Sequence, residues 1–491
     1  MSYVKATTLR LGAIALNAVS TLALLPFILK SLGEYEFGLW GMATAISGYL
    51  LLLDFGIAQA CTRYISVALD DKKSWTQTIT NSLAVALIIS LILLGTAGVL
   101  QYFIHSEYFK EPILWHIVSI LLIEVAFSLP LRLYQSIMRA EVDYAALGWH
   151  EIVRIVLRVL GIAVLLWADF GLLTIVSYSA VVNGGFFALA GFHVKHKHGQ
   201  TFINPKVLSS HFSWELFHVG KYSLVTQASE FFRYRIDNLI VGALLGISAV
   251  ASFAIMIVLI DMLAQIQMRL QSYWDTIIMR EVGDNQRAKA TQTMLKSLQL
   301  GVGFILVAMV NAYLFADVFL SLWVGEKYST LMPTLVLFIG VLLSAAVQLS
   351  TSPYFNALGL QKLNAGLGLT ELVAKVLLVV PLALGFGSSG IIVSTLVAGL
   401  MIGIGVRLYV LAPYTRLSLS TLVQKALQPL MPVMMGVLGL IMIYQVMQYF
   451  TSTLEAKAFM FGLEVTLGIG VLMFLKYSKG QHRVLKAKYS T

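Results

Sequence analysis

Apolar runs of about twenty residues recur roughly every thirty positions along the chain, separated by short polar turns. A membrane-crossing helix needs about 20 mostly apolar residues, and fourteen runs meet that length. They lie near 10–30, 37–58, 81–104, 114–135, 149–168, 171–192, 219–243, 247–268, 293–316, 331–354, 364–384, 388–411, 426–449 and 456–475. Lys5 and Arg10 precede the first run and no small-residue cleavage site follows it, which predicts a retained first helix rather than a removed signal peptide.

Composition agrees with the pattern. Of 491 residues, 58% are hydrophobic and 12% charged, roughly half the charged fraction of a soluble domain. The longest polar gaps, around 193–213 and 272–292, are too short for an independent domain of about 50 residues or more. A fused nucleotide-binding, sensor or catalytic domain is thereby excluded. The single cysteine, Cys61, excludes an internal disulfide and a cysteine-based metal cluster.

Charge orients the spans, because cytoplasmic turns accumulate Lys and Arg. With the N-terminus inside, outer turns hold only Lys30, Lys110, Lys327 and Lys457. Arg158, Arg233, Arg235 and Lys375 fall deeper within spans. The other 26 of the 34 basic residues sit in the termini, inner turns and adjoining helix ends. Both termini are therefore expected in the cytoplasm, and the net charge of +10 requires no nucleic acid. The basic tail, with Lys476, Lys479, Arg483, Lys486 and Lys488, is expected against anionic membrane lipid.

The chain also repeats internally. Leu147-Gly148-x-x-Glu151-x-Val153-x-x-Val156-Leu157-x-Val159 recurs as Leu367-Gly368-x-x-Glu371-x-Val373-x-x-Val376-Leu377-x-Val379, and Leu32-Gly33 recurs as Leu245-Gly246. Six spans separate the copies, an even number, so both halves enter the membrane from the same side. That is the parallel-repeat design of secondary transporters, with a substrate site between the halves. The expected organisation is an N-terminal lobe over 1–213, a C-terminal lobe over 214–415, and an appendage over 416–491 holding helices thirteen and fourteen. The fold class is thus all-α and polytopic, with about fourteen transmembrane helices in two six-helix lobes around a central cavity plus two extra helices.

Ionisable residues at membrane depth are expensive and normally face a partner or a watery cavity. On the seventh span Glu230, Arg233, Tyr234 and Asp237 share one face while Arg235 points away. The stripe either neutralises itself, Arg233 pairing with Asp237 at i+4, or looks into the central cavity. On the fifth span Glu151, Arg154 and Arg158 share a face, with snorkelling to the interface as the alternative for Arg158. Lys375 follows Glu371 by four residues, an i+4 pair in the simplest reading. Together these positions sketch a cationic path suited to phosphate, since Arg forks match phosphate oxygens. Glu124, Asp261 and Glu464, like Asp237 and Glu230, are candidates to carry a coupling ion, or stay protonated and bond a neighbouring helix. Asp54 reads as a cap or a contact between lobes.

Weaker signals remain. His193-Val194-Lys195-His196-Lys197-His198 reads as a solvated basic loop rather than a metal grip. Pro130, Pro353, Pro381, Pro429 and Pro432 interrupt spans. No ATP-binding or hydrolytic motif is present, so no cofactor is expected, and energy would come from an H+ or Na+ gradient, the membrane potential or substrate flow.

The stretch Leu32-Gly33-Glu34-Tyr35-Glu36-Phe37-Gly38-Leu39-Trp40, with Asp54-Phe55-Gly56-Ile57-Ala58 and Arg63-Tyr64, resembles the opening of the Wzx-type oligosaccharide flippases. Asp237-Asn238-Leu239-Ile240-Val241-Gly242 and Leu245-Gly246 resemble that family's seventh-span signature. Ala251 departs from it where many relatives have glycine. The resemblance covers about residues 1–415 and implies the multidrug/oligosaccharidyl-lipid/polysaccharide exporter superfold in a bacterial inner membrane. It implies a transporter rather than an enzyme, moving undecaprenyl-pyrophosphate-linked repeat units to the periplasmic leaflet for O-antigen, capsule or exopolysaccharide. A polysaccharide polymerase and chain-length machinery are the partners it implies. On this reading Arg233, Arg235, Arg154, Arg158 and Lys375 attract pyrophosphate, and Tyr234 meets sugar. The rivals are a lipid II flippase, an ion-coupled drug or metabolite exporter of the same superfold, and a membrane-bound glycosyltransferase, ligase or polymerase.

Overall fold

The computed structural model describes residues 3–67, 71–103, 111–141, 143–199, 202–216 and 236–450, together with Lys457 and Met460. The described residues form helices and short turns with no strand among them. In chain order the helices are α1 (Tyr3–Leu51), α2 (Ile57–Val67), α3 (Lys72–Phe103), α4 (Pro112–Ala140), α5 (Tyr144–Trp167), α6 (Leu172–His198) and α7 (Ile236–Leu245 in the described residues). Then follow α8 (Ile247–Gly283), α9 (Arg287–Trp323), α10 (Met332–Ala357), α11 (Gln361–Ala398), α12 (Arg407–Thr415), α13 (Leu419–Leu427) and α14 (Met431–Phe450). A π-helical segment, Gly399–Val406, joins α11 to α12.

Nine described helices are long and apolar enough to cross a membrane, which makes the chain a multi-pass membrane protein. Two of the nine each contain two predicted spans. One breaks at Gly33 (φ 76°, ψ 175°) and the other at Gly387 (φ 60°, ψ −140°). Gly246, which separates α7 from α8, also has a positive φ, 90°. The two copies of the repeated Leu-Gly pair therefore mark the same backbone event, a left-handed residue that only glycine adopts cheaply, re-aiming the chain between two spans.

α5 carries three charges, Glu151, Arg154 and Arg158, yet its ends bear exposed Trp149 and Trp167. Eighteen residues separate them, about 27 Å of helical rise, close to the hydrocarbon thickness of about 30 Å that interfacial tryptophans bracket. The predicted span at 456–475 lies outside the described residues.

The sequence's polar gaps are mostly helix. α8 and α9 have 37 residues each and meet across a short turn at Asp284–Gln286, so the stretch 272–292 is two helix ends projecting past the apolar run. His193–His198, expected as a solvated loop, is the last two turns of α6. Lys197 bonds Asp143 and Glu141 and His198 bonds Glu141, at 3.0–3.1 Å, and His193 Nε2 lies 3.5 Å from Asp143 Oδ2. Burial pushes the Asp143 carboxyl up, but Lys197, the Ala146 N–H and His193 outweigh it and hold it below the usual carboxylate range. Pro130, Pro353 and Pro381 do lie inside helices. Pro429 and Pro432 instead fall at the boundary where α14 begins, a position that tolerates proline because the first turn needs no N–H partner.

The helices gather into two compact units, Met1–Leu263 with Ala365–Ala398, and Ala264–Asn364 with Gly399–Thr491. In the first, a core of Ile57, Cys61, Ile65, Trp75, Ile79, Leu129, Leu133 and Ile137 locks α2, α3 and α4 together. Close approach elsewhere depends on small residues. A Cβ on Gly38 would lie 2.2 Å from the Ile247 carbonyl oxygen, and one on Gly41 would touch Val250 and Ala254 at 3.1 Å. The Phe37-Gly38-Leu39-Trp40 stretch thus lets α1 meet the start of α8 almost backbone to backbone. In the second unit α9 packs on α10 and α14, with Val310, Leu314 and Tyr444 in the seam.

Candidate functional site

Besides the Glu141–Asp143 cluster at the end of α6, two polar clusters stand out among the described residues of the first unit. The larger is carried by α4, α5 and α6. Arg154 ion-pairs with Glu151 one turn earlier and donates from Nη1 to Asn183 Oδ1 at 3.0 Å. Asn183 Nδ2 in turn donates to Glu124 Oε1 at 2.9 Å. Glu124 has Arg132, Arg158 and Arg154 within electrostatic reach. Arg132 also faces Asp54, which accepts a 2.7 Å hydrogen bond from the Gly56 N–H and so caps the turn after α1. The Arg132 guanidinium lies 4.9 Å from the Phe187 ring centroid and that of Arg154 lies 5.4 Å from Phe186, a geometry that favours a cation over an aromatic face.

The cluster is half-buried rather than sealed. The Arg154 side chain retains 20% exposure and that of Glu151 35%. Three guanidinium groups thus lie on α4 and α5: Arg154 is paired with Glu151 and bonded to Asn183, Arg132 and Arg158 lie within electrostatic reach of Glu124, and Arg132 also faces Asp54. An arriving phosphate would compete with Glu151 and Asn183 for the Arg154 N–H donors, which is how such a site can bind an anion and still release it.

The second cluster is sealed. Asp237 on α7 is fully buried, and Lys375 on α11 places Nζ 2.7 Å from its Oδ1. Glu371, four residues before Lys375, is also buried. Asn238 donates to the Gly41 carbonyl at 3.2 Å, tying α7 to α1. In this conformation Lys375 is withdrawn from solvent, and its ion-pair partner is 138 residues away in sequence, a partner that i+4 reasoning could not reach.

The structure therefore joins Arg154, Arg158 and Glu124, and separately joins Asp237 and Lys375. Asp261 is half-buried on α8. Glu230, Arg233, Tyr234, Arg235 and Glu464 lie outside the described residues. Sequence reasoning missed Arg132 and Asn183, which complete the larger cluster. Arg132 stands two residues after Pro130 at the end of an apolar run, and Asn183 is a strongly polar residue within another, so both signals were present.

The second unit holds further buried polar networks. Gln271, fully buried, donates to the Ala346 carbonyl at 2.9 Å and to Ser350 Oγ at 2.7 Å. Arg407, 2% exposed, donates to Asn364 Oδ1 at 2.8 Å and Thr351 Oγ1 at 3.1 Å. Lys457, expected in an outer turn, is buried and paired with Asp317 of α9.

Residues 7–267 match the family described as polysaccharide biosynthesis protein, more than half of the chain. The chain belongs to that family. Among curated proteins, the uncharacterized membrane protein EpsK of Bacillus subtilis (strain 168) is 24% identical over 362 residues, 70% of this chain and 69% of its own. Among solved structures, the lipid II flippase MurJ in an inward closed conformation aligns with a TM-score of 0.66 at 12% identity, covering 94% of this chain and 98% of that one. An inward-facing multidrug resistance MATE family transporter of the MOP superfamily gives 0.64 at 17% identity, covering 82% and 96%. At these identities the structures speak for the fold, which is the exporter superfold that the Leu32–Trp40 motif implied. The matched family segment carries every residue of the α4–α5–α6 cluster.

Proposed function

We propose that this polysaccharide biosynthesis protein translocates polyprenyl-diphosphate-linked oligosaccharide units from the cytoplasmic to the periplasmic leaflet of a bacterial inner membrane, for O-antigen, capsule or exopolysaccharide. It is a transporter, not an enzyme, with both termini in the cytoplasm. The observation that carries this reading is the half-buried arginine cluster of Arg132, Arg154 and Arg158 on membrane-spanning helices, in a chain of this family and fold. A diphosphate supplies the charge such a cluster suits, while the lipid tail stays in the bilayer.

Arg154 and Arg158 engage the diphosphate, and the region of Arg233, Tyr234 and Arg235 meets the headgroup from the second lobe. Glu124 is the coupling candidate best placed to act, because a proton on it weakens its hold on the surrounding guanidinium groups and leaves them free for phosphate. Asp237 and Lys375 hold α7 against α11 in the resting conformation. The two six-helix lobes, 1–213 and 214–415, rock to expose the headgroup alternately.

The test is purified protein in liposomes carrying a fluorescent polyprenyl-diphosphate oligosaccharide, with leaflet position read by quenching from outside. Wild type moves the label between leaflets, and Arg154→Ala and Arg158→Ala variants do so at least about tenfold more slowly, the loss of one charge-assisted phosphate contact. Transport of a cationic drug with no movement of the labelled lipid would overturn the reading in favour of a drug exporter.

A further inference from the structure

A second cationic feature lies wholly within the second unit and plays no part in the mechanism above. The start of α9, the end of α12 and the stretch from α13 to α14 enclose an open cavity of about 1130 Å³. Arg287, Lys289, Lys296, Arg416 and Lys425 line it, and among the described residues no Asp or Glu does. Lys289 is drawn to Glu281 at 3.3 Å. The other four cations form no ion pair among the described residues. Arg416 is the residue that ends α12, in a left-handed conformation (φ 58°) where Gly or Asn is usual. An arginine kept there turns its backbone off the helix axis at the rim of the cavity.

The position of the cavity selects its ligand. Its lining belongs to the first turns of α9 and the residues just before α14, the points at which both helices become apolar. Within two residues of lining residues in the sequence, Leu300, Leu427 and Met431 are exposed. A cationic pocket bordered by an exposed apolar surface, at the level where spans begin, matches a molecule with an anionic head and an apolar tail. A soluble polyanion would leave the apolar border without a role. Both turns concerned, between α8 and α9 and between α12 and α13, are basic ones that charge segregation assigns to the cytoplasm.

We propose that this pocket binds the phosphate headgroup of an anionic lipid of the cytoplasmic leaflet, with the acyl chains against Leu300, Leu427 and Met431. Bound lipid would brace α13 and α14 against α9.

The test uses the purified full-length chain in neutral detergent, titrated with phosphatidylglycerol, phosphatidylcholine, farnesyl diphosphate or inorganic pyrophosphate, with bound ligand counted by native mass spectrometry. Phosphatidylglycerol is expected to bind at least about tenfold more tightly than phosphatidylcholine. The triple variant Arg287→Gln/Lys296→Gln/Arg416→Gln, all at exposed positions, should lose at least about tenfold. The charge-matched control Lys206→Gln/Arg269→Gln/Lys362→Gln should bind as wild type. Competition by farnesyl diphosphate supports the proposal and extends the lipid source to polyprenyl diphosphates; its absence supports a bulk phospholipid as the source. The proposal is overturned if pyrophosphate alone binds as tightly as phosphatidylglycerol, if the triple variant keeps its lipid, or if the control loses as much. Because these residues lie outside the α4–α5–α6 cluster, failed lipid binding with intact flipping strikes only this proposal, and the reverse result strikes only the proposed function.

Discussion

Lys375→Met removes the cation 2.7 Å from a fully buried carboxylate. Taking one partner from a buried pair leaves an uncompensated charge and costs about 3–5 kcal/mol. The site makes the two possible deletions unequal. Without Lys375, Asp237 and the buried Glu371 are left without the cation beside them, whereas Asp237→Asn leaves Lys375 with Glu371 one helical turn away. Lys375→Met should therefore destabilise more than Asp237→Asn. The double variant Asp237→Leu/Lys375→Met should recover much of the loss, since apolar replacement of a buried pair is often neutral or stabilising. The assay is chemical denaturation in mixed micelles on all four corners of the Asp237→Leu/Lys375→Met cycle, with Asp237→Asn alongside. A coupling of at least about 1 kcal/mol is expected for residues in one ion-pair network. Single variants within about 0.5 kcal/mol of wild type and an additive double would refute the pairing as the tie between α7 and α11.

Further outcomes follow from individual contacts. Gly38→Ala drives a methyl into the Ile247 carbonyl and should cost about 1–3 kcal/mol, while Gly95→Ala, with nothing within 4 Å, should be neutral or slightly stabilising; equal effects at both positions would contradict the close approach of α1 to α8. Gln271→Leu should cost about 1–3 kcal/mol, because Ser350 Oγ and the Ala346 carbonyl lose a buried donor, and a thermal midpoint equal to wild type would contradict it. The Asp143 carboxyl is held below its ordinary value by Lys197 and His193 against the effect of burial, so its stabilisation is present above about pH 3.9 and lost as pH falls through the folded value. Wild type should accordingly be more stable than Asp143→Asn at pH 7, with the gap closing toward pH 3; a gap that stays constant over that range would remove Asp143 as the titrating group.

Much of the fold was legible because membrane spans announce themselves by length and apolarity. The repeated Leu-Gly pair was legible too, and Gly33 and Gly246 prove to share a left-handed conformation. Polar turns were harder to read, because helices such as α8 and α9 run on past the membrane with polar sequences that resemble loops. His193–His198 was misread for a related reason: its partners, Glu141 and Asp143, come from a different turn that only the packing of α6 on α4 brings near. The site was half legible. Helical spacing found Glu151, Arg154 and Arg158 on one face, since their relation is local. It could not find Asn183 between Arg154 and Glu124, nor Asp237 beside Lys375, since those contacts cross from helix to helix and leave no periodic trace.

The proposed movement of lipid-linked oligosaccharide across the membrane is tested most directly in cells. Lipid-linked repeat units should be measured by leaflet in cells lacking the protein and in cells re-expressing wild type or Arg154→Ala at matched membrane levels. Units should accumulate on the cytoplasmic leaflet without the protein, wild type should clear them, and Arg154→Ala should not. Normal pools and normal surface polysaccharide in cells without the protein would contradict the proposal.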